Sequence, residues 1–311
     1  MDQSDASRPL DTTALQYFEA AARLGSLTAA ASELRIAVSA VSRKIKQLEA
    51  EIGSSLFERL PRGLQLTSAG EVMLHHAKQG FEEFRRAREV IEELRGVRRG
   101  KITLASVEST ARGLLMPALL SFWTEFPNVT VDLAVVSSSD VGRMVRQGEA
   151  ELGLAFSNVV SSGSLEMVAE AALPIGAILP AGHELAKARS VSLRELATEP
   201  VLSADPTMLL HELVELAVSS EVFKPRLRLS SNSTGILSSF AAVGAGVAFK
   251  TRLGLEHEIA REDITFVPLS DAELPMQHVK LWKRVSHPLT PAADRLASLL
   301  SAGIQSLKQH H

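Results

Sequence analysis

Apolar residues recur at three- and four-residue spacing from Leu15 to Leu94, whereas from Lys101 onward they fall into short alternating runs. The first pattern predicts helices, and the second predicts strands alternating with helices. The chain therefore has two differently built parts. They are joined through Arg95-Gly-Val-Arg-Arg-Gly-Lys101, whose two glycines and four cations mark a hinge. The 311 residues suffice for two or three folded units, and 45% hydrophobic with 22% charged residues excludes collagen-like and disordered classes. The absence of cysteine excludes disulfides, thiolate nucleophiles and Cys-based metal sites. Acidic and polar residues occupy the start, Met1-Asp-Gln-Ser-Asp, where a signal peptide needs basic and then apolar ones. No apolar run approaches the roughly 18 to 20 residues of a membrane span. A cytoplasmic protein with no membrane partner is expected.

Residues 26–52 carry two helical segments with a very short break. Ser26 is placed to cap the first, and Leu27, Ala30, Ala31 and Leu34 form its apolar face. Arg35-Ile-Ala37 is long enough only for a tight turn. In the second segment Val41, Ile45, Leu48 and Ile52 make one buried stripe, so that Ser39, Ser42, Arg43 and Lys46 share the opposite face. A short helix, a tight turn and a second helix with hydroxyls and cations outward form a helix-turn-helix, which seats its second helix in the DNA major groove. Net charge is −3, yet residues 35–46 hold four cations and no acid. Leu60-Pro-Arg-Gly-Leu-Gln-Leu-Thr67 reads as a wing of two short strands around Arg62-Gly63. Serines and cations also occur on any solvated helix face, but the stripe, turn, wing and local charge agree here. Ser39 and Ser42 suit base edges or phosphates, Arg43 suits guanine, and Lys46 and Arg62 suit phosphates.

Leu15, Phe18, Ala22, Gly25-Ser-Leu-Thr28, Ala30-Ala31 and Leu34, then Ser39-Ala-Val-Ser-Arg43, Ile45, Leu48-Glu49, Ile52-Gly53, Leu56-Phe57 and Arg59, then Leu66-Thr67 and Ala69-Gly70 together resemble the signature of LysR-type transcriptional regulators. One position departs from that pattern. Family members carry a hydroxyl residue followed by Gln where this chain has Ala37 and Val38, and Val38 offers a methyl contact to thymine instead. The resemblance implies a multidomain fold: an all-α-rich winged helix-turn-helix (1–67), a long linker and dimerisation helix (68–96), and an α/β effector-binding domain of two subdomains resembling periplasmic binding proteins (97–311). Subdomain I is expected at about 101–160 and 268–307, and subdomain II at about 161–267, with crossings near 157–165 and 268–279. Implied partners are double-stranded DNA, a small-molecule effector, a second copy of the chain as homodimer or homotetramer, and RNA polymerase. No cofactor is implied.

Ser68-x-x-Glu71 reads as a capping box opening the linker helix. Along it Met73, Ala77, Gly80, Phe84, Ala87, Ile91 and Leu94 follow the spacing of a helix that pairs with another helix, although such a stripe can also pack on its own domain. In the α/β part, ligands bind at the carboxyl ends of parallel strands. That rule selects Glu108, Ser109 and Thr110 after the first strand, Ser138 after the second, and Ser203, Asp205 and Asn232 in the later half. The run Ala242-Val-Gly-Ala-Gly246-Val-Ala-Phe249-Lys250 resembles the family's glycine-marked turn into a cleft-lining strand. Phe249 and Lys250 are therefore expected at the cleft, where a cation suits an anionic effector. Many such polar residues only cap helices.

His278 and His287 lack metal-site spacing, and no metal site is expected. The chain has no HExxH, GxSxG or GxxxxGK[ST] motif, so no catalytic residue is assigned and the chain is expected not to be an enzyme. The competing reading is a helix-turn-helix fused to an α/β enzyme of a small metabolite. A solute-binding transport protein is disfavoured by the missing export signal.

Overall fold

The computed structural model describes residues 10–60, 63–94, 99–156, 163–204, 226–271, 274–285 and 287–308. The chain divides into two compact units, residues 1–88 and 89–311.

The first unit holds α1 (Thr12–Leu24), α2 (Leu27–Leu34), α3 (Val38–Ile52), a hairpin of β1 (Phe57–Leu60) and β2 (Gly63–Leu66), and the start of α4 (Ser68–Leu94). Phe18, Ala30, Val41, Ile45, Leu48 and Leu56 form its core, and Phe18 also packs on Phe57. Ser26 caps α2 by accepting from the Ala29 N–H, as the sequence predicts. Arg35 then adopts a left-handed conformation (φ 57°), with its N–H directed to the Ala31 and Ser32 carbonyls, and this closes the tight turn. The wing leans on α1's end through a hydrogen bond from Leu64 N–H to Gly25 O, 2.9 Å long. A side chain at Gly63 would approach that same oxygen to 2.8 Å.

The cap of α4 is Thr67, not Ser68. Its hydroxyl accepts from the Gly70 N–H (3.0 Å) and donates to Ser55 O (2.7 Å), so the capping position lies one residue earlier than the Ser68-x-x-Glu71 spacing suggests. Along the expected pairing stripe, Met73 packs against the core of its own unit and Ala77 is buried, while Phe84, Ala87 and Ile91 are exposed.

The second unit contains two five-stranded sheets, ordered β4-β3-β5-β12-β6 and β11-β7-β10-β8-β9. The first comprises β3 (Arg99–Ser106), β4 (Asn128–Val135), β5 (Leu152–Phe156), β6 (Leu165–Leu173) and β12 (Gln277–Arg284). Helical segments α5 (Glu108–Thr110), a π turn (Ala111–Leu115) and α6 (Met116–Glu125) follow β3, and α7 (Ser138–Gln147) follows β4. The second sheet comprises β7 (Ile175–Pro180), β8 (Pro200–Ala204), β9 (Arg226–Ser231), β10 (Val247–Thr251) and β11 (Ile264–Pro268), with α8 (Thr234–Ala242) and α9 (Glu256–Ala260) between its later strands. The chain ends in α10 (Pro291–Leu307), whose Leu296, Leu300 and Ile304 pack with Phe122 of α6 and Leu104, Leu152 and Leu281 of the first sheet. Val141, Val145 and Trp282 cover that sheet's other face. These faces follow the period of two that strand geometry imposes.

The first crossing between subdomains does not lie near 157–165. Residues 165–173 belong to the first sheet, where β6 pairs antiparallel with β12 and the chain passes to β7 at Pro174. Cross-strand charges support that pairing: Lys280 and Lys283 each lie 3.2 Å from Glu170 and Glu166 respectively. The return crossing lies between Pro268 and Gln277.

Candidate functional site

Val41, Ile45 and Leu48 hold α3 against the core, and helical geometry turns Val38, Ser39, Arg43 and Lys46 outward, where all four are exposed. Ser42 is half-buried beside them. Ala37 is exposed at the N-cap position with extended geometry (φ −71°, ψ 139°) and no side-chain cap. Lys44 has a different task, reaching 2.6 Å to Asp11, the cap of α1. That hydrogen bond, together with the Thr13 N–H, holds the Asp11 carboxyl at a pKa of about 2. Glu49 accepts from the Leu56 (2.8 Å) and Phe57 (3.3 Å) N–H groups at the base of the wing, which ties the hairpin to α3. The outward face of α3 is thus cationic in a chain of net charge −3. Arg62 lies outside the described residues.

Between the two sheets of the second unit is a cavity of about 460 Å³, at the carboxyl ends of β3, β4, β5, β9 and β10. Lys250 reaches it from β10. Its strand neighbours Val247 and Phe249 face one core cluster and Ala248 faces the other. The ammonium is buried (4% exposed) and its Nζ has no hydrogen-bond partner. Burial, and then the charge of Arg112, push its pKa down to about 8 against the opposing pull of Glu108, Glu258 and Glu256.

Glu108 enters from the first subdomain. Its carboxylate accepts from Ser233 Oγ (3.3 Å), Thr234 Oγ1 (3.3 Å) and the Gly235 N–H (3.1 Å) at the N-terminus of α8. A Cβ at position 235 would come within 2.5 Å of that carboxylate and would oblige the Glu108 side chain to shift. A negative charge at this helix end is favoured by the unpaired N–H groups there. Nearby, Arg112 and Glu258 form a short ion pair between the subdomains. Burial, the largest single effect, would raise the Glu258 pKa, but the hydrogen bond from Arg112, a backbone hydrogen bond and the charges of Arg112 and Lys250 together hold the carboxyl below its ordinary value.

Of the residues expected at the cleft, Glu108, Ser109, Ser138, Asn232 and Lys250 line the cavity. Thr110, Ser203 and Phe249 do not. Thr110 is fully buried and its hydroxyl bonds Ser106 Oγ (2.7 Å) and Val107 O (3.0 Å), knitting the turn after β3. Phe249 packs with Ile175, Leu179 and Val201, because one step along a strand reverses the face. Ser203 sits half-buried on β8. Asp205 lies outside the described residues. Ser137, Ser233 and Thr234, which lie in the strand-end loops that the sequence picks out, also line the cavity, as do Thr251 and Gln277, which the sequence does not single out. Ser137 and Ser233 are helix caps next to the residues that were chosen, so the capping positions were the available signal. Gln277 offers none. Among the described residues no group of three or more His, Asp or Glu side chains is placed to hold a metal, and no helix is long and apolar enough to cross a membrane.

Residues 12–71 match the bacterial regulatory helix-turn-helix protein, lysR family, and residues 95–305 match the LysR substrate binding domain. The chain belongs to the LysR family. It is a LysR-type DNA-binding transcriptional regulator, with an N-terminal helix-turn-helix and a C-terminal effector-binding domain of two subdomains. Among LysR relatives, the regulator CfxR of Cupriavidus necator is 30% identical over 269 residues, covering 84% of each chain. A RuBisCO operon transcriptional regulator of Allochromatium vinosum is 36% identical over 187 residues, which span 60% of this chain and 61% of that relative. In fold, the LysR chain resembles full-length CbnR in complex with its target DNA, with a TM-score of 0.65, 20% identity and coverage of 94% of this chain and 99% of that one.

Proposed function

We propose that this regulator responds to a small anionic metabolite seated on Lys250 in the cleft between its two subdomains. One observation carries the reading: a buried ammonium without a hydrogen-bond partner faces a cavity large enough for a metabolite. An unpaired buried cation is costly, and an anion that pairs with it recovers part of that cost. Ser109, Ser138 and Asn232 supply neutral hydrogen-bonding groups around it.

The output is operator binding through α3, with Ser39, Ser42 and Arg43 toward the bases, Val38 toward a thymine methyl, and Lys46 and Arg62 toward phosphates. Ala37 lies at the helix start beside the backbone. The winged head, linker helix and effector domain are assigned to 1–67, 68–96 and 97–311. Exposed Phe84, Ala87 and Ile91 support pairing of α4 with a second copy, as a homodimer or homotetramer that spaces two heads on a pseudo-palindrome. RNA polymerase is its partner at promoters, and the protein works in the cytoplasm. The enzyme-fusion reading is weaker: Glu108, the acid in the cleft, already accepts three hydrogen bonds, which suits it to holding structure rather than moving protons.

Selection of genomic fragments with the full-length protein, then footprinting at fixed salt, would define the operator. The promoter of a RuBisCO operon, by which the Allochromatium vinosum relative is named, is a reasonable first target. Metabolite acids should change the wild-type footprint, whereas Lys250→Met should keep operator binding and lose the response. A Lys250→Met protein that responds normally would sink the reading. Arg43→Ala should weaken specific binding by roughly 1–3 kcal/mol and relax preference at one base position; unchanged preference at every position would remove Arg43 from base readout.

A further inference from the structure

The cavity walls carry one charged side chain from each subdomain, and these two, Glu108 and Lys250, are the only titratable residues lining it among the described residues. Glu108 occupies the N-terminus of α8, where Ser233, Thr234 and Gly235 donate to it. The helix end that would otherwise receive an anion already holds one. The neighbouring cation Arg112 is engaged with Glu258. Of the two charged side chains that line the cavity among the described residues, Lys250 is the one whose charged end has no hydrogen-bond partner.

We propose that Glu108 sets the charge of the effector: the cleft takes a small acid with one negative charge, seated on Lys250 with an uncharged polar end toward Glu108, and rejects dianions. The inference rests on the reading above that an anion seats on Lys250. A monoanion leaves each charge in the cleft with a partner, Glu108 on α8 and the ligand on Lys250. A second ligand charge would face the resident carboxylate with no cation to meet it, inside a site where water screens poorly. Ser138, Asn232 and Gln277 provide neutral partners for an amide or hydroxyl end.

Calorimetric titration of the full-length protein at pH 7 with succinate and with its monoamide, succinamate, compares nearly isosteric ligands that differ in charge. Wild-type protein is expected to bind succinamate at least roughly tenfold more tightly. Glu108→Gln, which keeps an acceptor for the α8 donors, should bring the two within about twofold by gaining affinity for succinate. Lys250→Met should lose both. Succinate binding wild-type as tightly as succinamate, or an unchanged ratio in Glu108→Gln, overturns the role of Glu108 while leaving the anion on Lys250 in place if Lys250→Met abolishes binding. If neither acid binds wild-type, or both bind Lys250→Met as they bind wild-type, the anion seat itself fails and this inference with it. The wild-type ratio needs no variant, so misfolding of Glu108→Gln would not rescue the proposal.

Discussion

Lys250 pairs a functional opportunity with a stability cost. Its pKa of about 8 lies below the ordinary 10.5 because burial disfavours the charge. Above 10.5 the amine is neutral whether folded or unfolded, and no cost arises. As pH falls from 10.5 through 8, the unfolded chain gains the proton more readily, and folded stability falls until the folded pKa is passed. The difference of 10.5 − 8 = 2.5 pKa units corresponds to on the order of 3 kcal/mol. Lys250→Met should therefore raise the urea midpoint at pH 7, and the gain should shrink steadily toward pH 10.5; a gain independent of pH would show that the ammonium is not the source. Position 250 was legible because the glycine-marked turn announces a strand beside a cleft. Its neighbour Phe249 was misassigned because the sequence does not say which face of β10 meets the cavity. The loop holding Ser233 and Thr234 was legible too, but not their bonds to Glu108: a capping residue looks the same whether its helix ends in solvent or on the side chain of another subdomain.

At the scale of elements, α3 begins without a side-chain cap. Ala37 has the extended backbone that an N-cap needs, but no side-chain oxygen to accept from the first turn, and the departure from the family pattern falls on this helix start. Ala37→Ser should stabilise the first unit by about 1 kcal/mol, read as a rise in the denaturation midpoint; a decrease would mean that the alanine packs against something the cap geometry does not reveal. The helices themselves were readable from their period, since Val41, Ile45 and Leu48 can reach one core only if they share one face. The cap of α4 was displaced by one residue because Thr67 and Ser68 carry equivalent hydroxyls and only geometry distinguishes them. The subdomain crossing was misplaced for a longer-range reason. The partner of β6 is β12, more than a hundred residues later, and the charge pairs that fix their register carry no local signal.

For the whole molecule, the change of pattern near residue 100 suggests two differently built parts, while the compact units divide earlier, within α4 at residues 88 and 89. The DNA-binding face and the effector cleft therefore lie in different units, and a ligand reaches operator affinity only through a difference in its affinity for the protein's alternative states. Glu108 and Arg112 supply contacts that depend on how the two subdomains meet: an effector that draws Lys250 toward the opposite wall must act on the same side chains that bridge it. Such coupling is reciprocal. If saturating effector changes operator affinity by a factor on the order of 5 to 150, operator DNA must change effector affinity by the same factor. Titrating effector into the full-length protein with and without a footprinted operator duplex measures the second factor, and a binding assay at saturating effector measures the first. Equal factors are expected for the wild type, and in Lys250→Met, which no longer binds the effector, operator affinity should not change when the acid is added. A wild-type effector affinity indifferent to the operator, alongside an operator affinity that does respond, would mean that the acid acts at some site other than the cleft.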